Sequence, residues 1–249
     1  MVFETEARQF RRRTLLLALA ALGIVFILWN IPQLDIVLYP FRLFVSFVHE
    51  AGHGLAALLT GGQFHGFEVY SNGAGQAITS GGSRLIILPA GYLGAALFGA
   101  ALFYLVNTLP YPRTISRVLG IALIGFSLLF SRFISAEFIV SVAPFVGLLS
   151  GLALFLVGQR ANRDVNIVVL NILAVLTALN AVLDLVQLTQ NSGATLGALR
   201  NDAAAFSDTF TPGVPAAVWA FVWALMAVAM LCVSVWYSII HPLRRRYCR

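Results

Sequence analysis

The chain has 249 residues, 59% of them hydrophobic and only 10% charged, with a mean hydropathy of +0.88. Soluble domains carry about 25% charged residues, so the composition excludes one and specifies an integral membrane protein built as a single membrane-embedded domain, 1–249. The net charge of +6 comes mostly from the two ends, which reads as membrane topology and lipid-headgroup contact, not nucleic-acid binding.

In chain order, residues 1–13 form a basic segment with Arg8, Arg11, Arg12 and Arg13. A first apolar span follows over 14–31. Ala18-Leu19-Ala20 resembles a signal cleavage site, but it falls early in a run that is long for a signal peptide. The span therefore reads as uncleaved, with its N-terminus cytoplasmic by the positive-inside rule.

A turn at 32–35 leads into the second span, 36–59, which is about long enough to cross a bilayer and carries His49-Glu50-Ala51-Gly52-His53. Helical residues four apart lie one above the other, so His49 and His53 can turn two imidazoles to one metal ion. Glu50 lies about 100° round the helix and reaches a metal-bound water rather than the metal. Two histidines on an apolar helix are also compatible with satisfied core residues or haem ligands. Ionisable groups within a lipid-length segment are costly and usually functional, which favours a metal site holding one Zn2+. Arg42, seven residues before His49, either snorkels to the interface or orients a peptide carbonyl.

Residues 60–83 form a Gly-rich stretch whose partial alternation around Asn72-Gly73 predicts a β-hairpin. It is either a connecting loop or an edge for an extended peptide, with Gly73 and Gly75 as candidate substrate-binding or supporting positions. His65 in this stretch is a further possible ligand or a solvated side chain.

The third span, 84–106, contains Gly91, Gly94 and Gly99, small residues that let helices approach closely; it is expected to pack on the His-Glu helix. The remaining spans are expected at 115–130, 134–157, 166–188 and 216–240. Arg132 and Glu137 mark a solvated junction between the fourth and fifth. The sixth carries Asn180 and Asp184, four apart on one face. Asp184 is the one carboxylate besides Glu50 well inside a predicted span, which makes it the candidate third zinc ligand. Asn180 is placed to hydrogen-bond it or to hold a substrate backbone. The polar loop 189–215 is expected to hold a short surface helix over 192–206, and residues 241–249 form a basic tail.

The fold class is therefore an α-helical polytopic membrane protein of about six to seven transmembrane helices, with a small β-hairpin-like loop after the His-Glu helix. Seven spans from a cytoplasmic N-terminus would leave the basic tail outside, against the positive-inside rule, so the span count and the side of the tail stay open.

The strings HEAGHGLAALLTGG, GAGQAITSGGSR and PAGYLGAALFGA, covering about residues 45–100, resemble the site-2 protease family, and more closely its compact bacterial branch without a PDZ domain. The resemblance implies an intramembrane zinc endopeptidase of the bacterial cytoplasmic membrane that cuts transmembrane protein substrates. His49 and His53 match its ligands and Glu50 its base. The Leu183-Asp184 pair matches an L-D-G triplet only in part, because Leu185 stands where the family has Gly. Two alternatives remain at this stage: a non-proteolytic scaffold of the same fold with a structural zinc, and a transporter whose intramembrane His and carboxylates bind an ion.

Overall fold

Apolar runs broken by Pro and Gly give a succession of helices: α1 (Val2–Asn30), α2 (Asp35–Leu59), α3 (Arg84–Thr108), α4 (Pro112–Phe130), α5 (Ala143–Arg160), α6 (Arg163–Gln190), α7 (Asp202–Phe210), α8 (Ala216–Val235) and α9 (His241–Arg244). Two strands, β1 (Gln63–Val69) and β2 (Gly75–Ser80), form a two-stranded antiparallel sheet. This is a computed structural model, describing residues 2–135, 139–190 and 201–244, with side chains from 13 to 242 within those stretches except at 190.

Among the described residues six helices are long and apolar enough to cross a membrane: α1, α3, α4, α5, α6 and α8, the last continued by a π-helical turn to Ile240. The sixth of the expected spans and the third are the most enclosed of these. α2 has the length but not the hydropathy. Asp35, Tyr39, Arg42, Ser46, His49 and His53 recur at helical spacing and draw a polar stripe down one face. Asp35 and Arg42 are ion-paired on that stripe.

Helix directions follow from individual contacts. α2 and α3 are antiparallel: Phe44 lies beside Phe98, and His53 reaches back to Ile87. α3 and α6 are antiparallel, with Gly99 against Ala174 and Ala178, and Asn107 donating to Asn171 at 2.8 Å. α8 runs parallel to α3, because Trp223 lies by Tyr92 and Ser234 donates to the Ala100 carbonyl. The apolar part of α1 begins beside the start of α6, with Arg13 paired to Asp164. The start of α1 and the end of α8 are thus at the same end of the bundle. The seven-span reading had put them at opposite ends.

The hairpin forms where it was expected. A five-residue connection from Tyr70 to Ala74 is closed by the Tyr70 amide donating to the Ala74 carbonyl at 2.8 Å, with Gly73 at φ +88°. Asn72 Oδ1 accepts from the Ala74 amide at 3.0 Å. The register skips at Gly66, where a bulge bends the ribbon. The hairpin folds back along α2: Phe64 lies on Gly54, Gly75 on Glu50, the Gly73 carbonyl on Ser46, and the Ser71 carbonyl on the Tyr39 hydroxyl. Phe67, on its core face, packs edge-on to Phe47 of α2, and Phe64 stacks on Phe130 of α4.

The fifth span was expected to begin at 134. It begins at Ala143: in the described residues before it, Ser131, Arg132, Ser141 and Val142 line the outer edge of β1, and Ile134 bridges to Val140 between them. The Arg132 amide donates to the Phe67 carbonyl at 2.9 Å, and the Val142 amide to Val69 at 2.7 Å. Ser141 Oγ satisfies the Val69 amide. Backbone groups outside helices at membrane depth must find partners in the protein, and β1 supplies them. Arg132 also donates to the His65 carbonyl; Glu137, its expected neighbour, lies outside the described residues.

Candidate metal centre

α2 presents two working faces. Phe47, Glu50 and Gly54, spaced i, i+3, i+7, turn to the hairpin. His49 and His53 turn to α3 and α7. The small residues seen in the third span let α3 come close. A Cβ on Gly52 would lie 2.4 Å from the Ala90 carbonyl oxygen, and one on Gly91 would lie 2.3 Å from His49 Nε2 and 2.5 Å from His53 Nε2. Only a residue without a side chain fits over the two imidazoles.

Three ligand atoms converge there. His53 Nε2 and His49 Nε2 are 3.0 Å apart, His49 Nε2 and Asp202 Oδ2 3.1 Å, and His53 Nε2 and Asp202 Oδ2 3.2 Å. Zinc bonds of about 2.0–2.1 Å in a tetrahedron put neighbouring ligands roughly 3.3 Å apart, so the triangle has the size of one tetrahedral face. The tautomer agrees. His53 Nδ1 lies 2.7 Å from the Ile87 carbonyl. A carbonyl can only accept, so Nδ1 carries the proton and Nε2 presents a lone pair. That lone pair faces a carboxylate oxygen at 3.2 Å. A ring nitrogen and a carboxylate oxygen that close share either a proton or a metal cation, and the donor set of two imidazoles and a carboxylate suits zinc.

Asp202 reaches the site because α7 turns into the bundle. Asn201 caps α7, its side chain accepting from the Ala204 amide at 2.8 Å. Ala203 and Phe206 are buried, and Phe206 packs on Trp219 and Trp223 of α8. Burial works to raise the Asp202 carboxyl, but the imidazoles of His53 and His49 outweigh it and hold it below the usual carboxylate range.

Glu50 is 6% exposed. Its carboxylate sits against Gly75, where a Cβ would lie 2.5 Å from Oε1, with the Ala77 amide of β2 nearby. Gly75, a candidate supporting position, thus makes room for the carboxylate. Gly73 acts one step further out, its carbonyl accepting from Ser46 Oγ at 2.6 Å. Tyr92 of α3 packs edge-on to His49 at 4.4 Å between ring centres, and its hydroxyl has no hydrogen-bond partner among the described residues.

Two expected positions differ. Asp184 is not in the ligand cluster; the carboxylate there is Asp202. Asp184 lies on α6, within electrostatic range of His49 and Arg42, on a part of the helix left exposed. Asn180 spends its amide donor on the Leu176 carbonyl of its own helix at 2.9 Å and makes no bond to Asp184. His65 bonds to Ser80 Oγ at 2.7 Å and is not part of the cluster.

The helix expected over 192–206 as a surface element is, in its described part, the buried α7; residues 191–200 lie outside the described stretches. A signal for this was present in Asn201-Asp202. An Asx cap precedes apolar positions 203, 206 and 210, a stripe that asks for burial. Gly91, Tyr92 and the Ile87 carbonyl had no comparable local signal.

No curated protein and no solved structure matches the chain. A family model described as Peptidase M50B-like matches residues 17–234, a stretch that contains α2, the hairpin, α3 and α7. The chain belongs to this peptidase family, part of the site-2 protease family.

Proposed function

We propose that the protein is an intramembrane metallopeptidase that uses one zinc ion to hydrolyse peptide bonds of transmembrane protein substrates. Family membership supports a site-2-protease-like metallopeptidase in an integral membrane protein. The observation that carries the reading is the triangle of His49, His53 and Asp202 with a buried carboxylate, Glu50, held on the adjoining face of the same helix. His49, His53 and Asp202 would hold the zinc, with Asp202 in the place first expected of Asp184. When bound, the ion would polarise the scissile carbonyl and activate water.

The chain's own residues supply the rest. Glu50 takes the proton of the attacking water on its carboxylate and passes it to the leaving amide nitrogen as the C–N bond breaks. The close approach of Gly75 in β2 holds the carboxylate in that position. The Ile87 carbonyl fixes the His53 ring. The Tyr92 phenol, a donor with no partner of its own, is available to the carbonyl oxygen. The connector after α4 occupies one edge of the hairpin, so β2 carries the other. That edge, running from Gly75 beside the base, suits a substrate segment unwound into an extended strand. The basic segment at 1–13 makes the N-terminus cytoplasmic in this reading, in a bacterial cytoplasmic membrane.

The test compares membranes of cells producing the wild-type chain and Glu50→Gln by fragment mass spectrometry of their membrane proteins. Fragments ending within transmembrane segments are expected with the wild type only, while both purified proteins hold about one zinc. The same fragments from Glu50→Gln would sink the reading.

A further inference from the structure

The arginines of this chain are distributed unevenly between the two ends of the bundle. Arg8, Arg11, Arg12 and Arg13 open α1; Arg113 and Arg117 open α4; Arg160 and Arg163 flank the turn between α5 and α6; Arg244 follows α8. The chain contains no lysine, so the arginines are its whole complement of strong bases.

The fold brings all of these to one end. Arg13 pairs with Asp164, and Arg113 donates to the Gly158 and Gln159 carbonyls. α3 finishes at the turn where α4 begins, and α8 runs parallel to α3. Nine of the twelve arginines in the described stretches lie at this basic end. Among the described residues, Arg84, opening α3, and Arg132, after α4, stand at the opposite end. Arg42 sits on the polar face of α2, ion-paired with Asp35 and within electrostatic range of Asp184 in the later part of α6.

The metal centre is displaced towards the arginine-poor end. Gly91, which lies over both histidines, is the eighth residue of α3. At 1.5 Å per residue it is about 10 Å from the start of α3 and about 26 Å from its basic end. The hairpin, the connector after α4 and α7 all belong to this half, so every element that builds the site enters from it.

Arginine-rich turns of short loops stay on the cytoplasmic face. We infer that the metal centre lies in the half of the bilayer away from the cytoplasm, and that its substrates are membrane proteins whose scissile bond lies in that outer half. Counting α2 as a full crossing from a cytoplasmic N-terminus would instead put the motif in the inner half. The inference rests on the metallopeptidase reading for the substrate, but not for the orientation. Water and zinc would enter from the outer face, past the hairpin and α7.

The experiment has two arms. In the full chain with Cys232→Ser and Cys248→Ser, single cysteines are placed at Gln63, Pro212, Tyr111 and Asn162, all exposed. A membrane-impermeant maleimide applied to intact cells is expected to label Gln63→Cys and Pro212→Cys, and to label Tyr111→Cys and Asn162→Cys only after permeabilisation. The reverse pattern overturns the inference. In the second arm, EDTA is added to right-side-out and inside-out membrane vesicles holding the zinc-loaded protein. Zinc is expected to be lost at least tenfold faster from right-side-out vesicles; equal or opposite sidedness overturns access from the outer face. A folded protein with no zinc in either preparation overturns the metallopeptidase reading and the substrate assignment with it, while the labelling pattern still decides the orientation.

Discussion

Single atoms decide whether this site works. His49 and His53 were legible in the sequence because their geometry is local: one helical turn sets it. Asp202 was not, because it stands 153 residues from His49 and meets it only through the tertiary fold. Asp184 satisfied the same chemical requirement and was nearer to a span centre, but chemistry alone cannot choose between two carboxylates. Two glycines separate ligand from base. In Gly91→Ala the new Cβ would fall 2.3 Å from His49 Nε2, and zinc affinity should drop by about 10- to 100-fold, as for other disturbed ligand supports. In Gly75→Ala it would fall 2.5 Å from Glu50 Oε1, so zinc should stay while cleavage falls about 100-fold, the cost of a misplaced catalytic group. Zinc titration and a cleavage assay on both variants check this; zinc binding unchanged in Gly91→Ala would contradict the packing described.

Among the elements, the hairpin was readable from Asn72-Gly73 and the alternation around it, since turn chemistry is local. The extended connector before α5 was not. The stretch from 134 to 142 is apolar enough for a helix, but its described ends pair with each other at Ile134 and Val140 and with β1 at Ser141 and Val142. The short α7 raises a consequence of its own. It is held to the bundle by Phe206 between Trp219 and Trp223, and Asp202 joins it to the histidines of α2. A ligand carried on so short an element couples metal binding to its docking. Chelation is expected to shift the tryptophan emission of a Trp29→Phe, Trp236→Phe variant, in which Trp219 and Trp223 remain. Added zinc should reverse the shift, and Asp202→Asn should remove the response to both. Emission indifferent to chelation in the zinc-loaded protein would mean that α7 docks without the metal.

At the scale of the whole molecule, hydropathy gave the class of fold, and six of the seven expected spans are apolar helices of crossing length. The exception is informative. α2 fails on hydropathy because of the polar stripe that carries the ligands, so the helix that matters most for chemistry is the one that composition counts least securely. That single helix changes the parity of the count, and with it the side on which the basic end of α8 falls.

The central claim, a zinc site of His49, His53 and Asp202 with Glu50 as a base outside the ligand set, is tested most directly by the zinc content of the detergent-purified protein. About one zinc per chain is expected in wild type, Glu50→Gln and Asp184→Asn, with zinc lost from His53→Ala and Asp202→Ala. Zinc kept by Asp202→Ala and lost from Asp184→Asn would contradict the account and return the third ligand to α6.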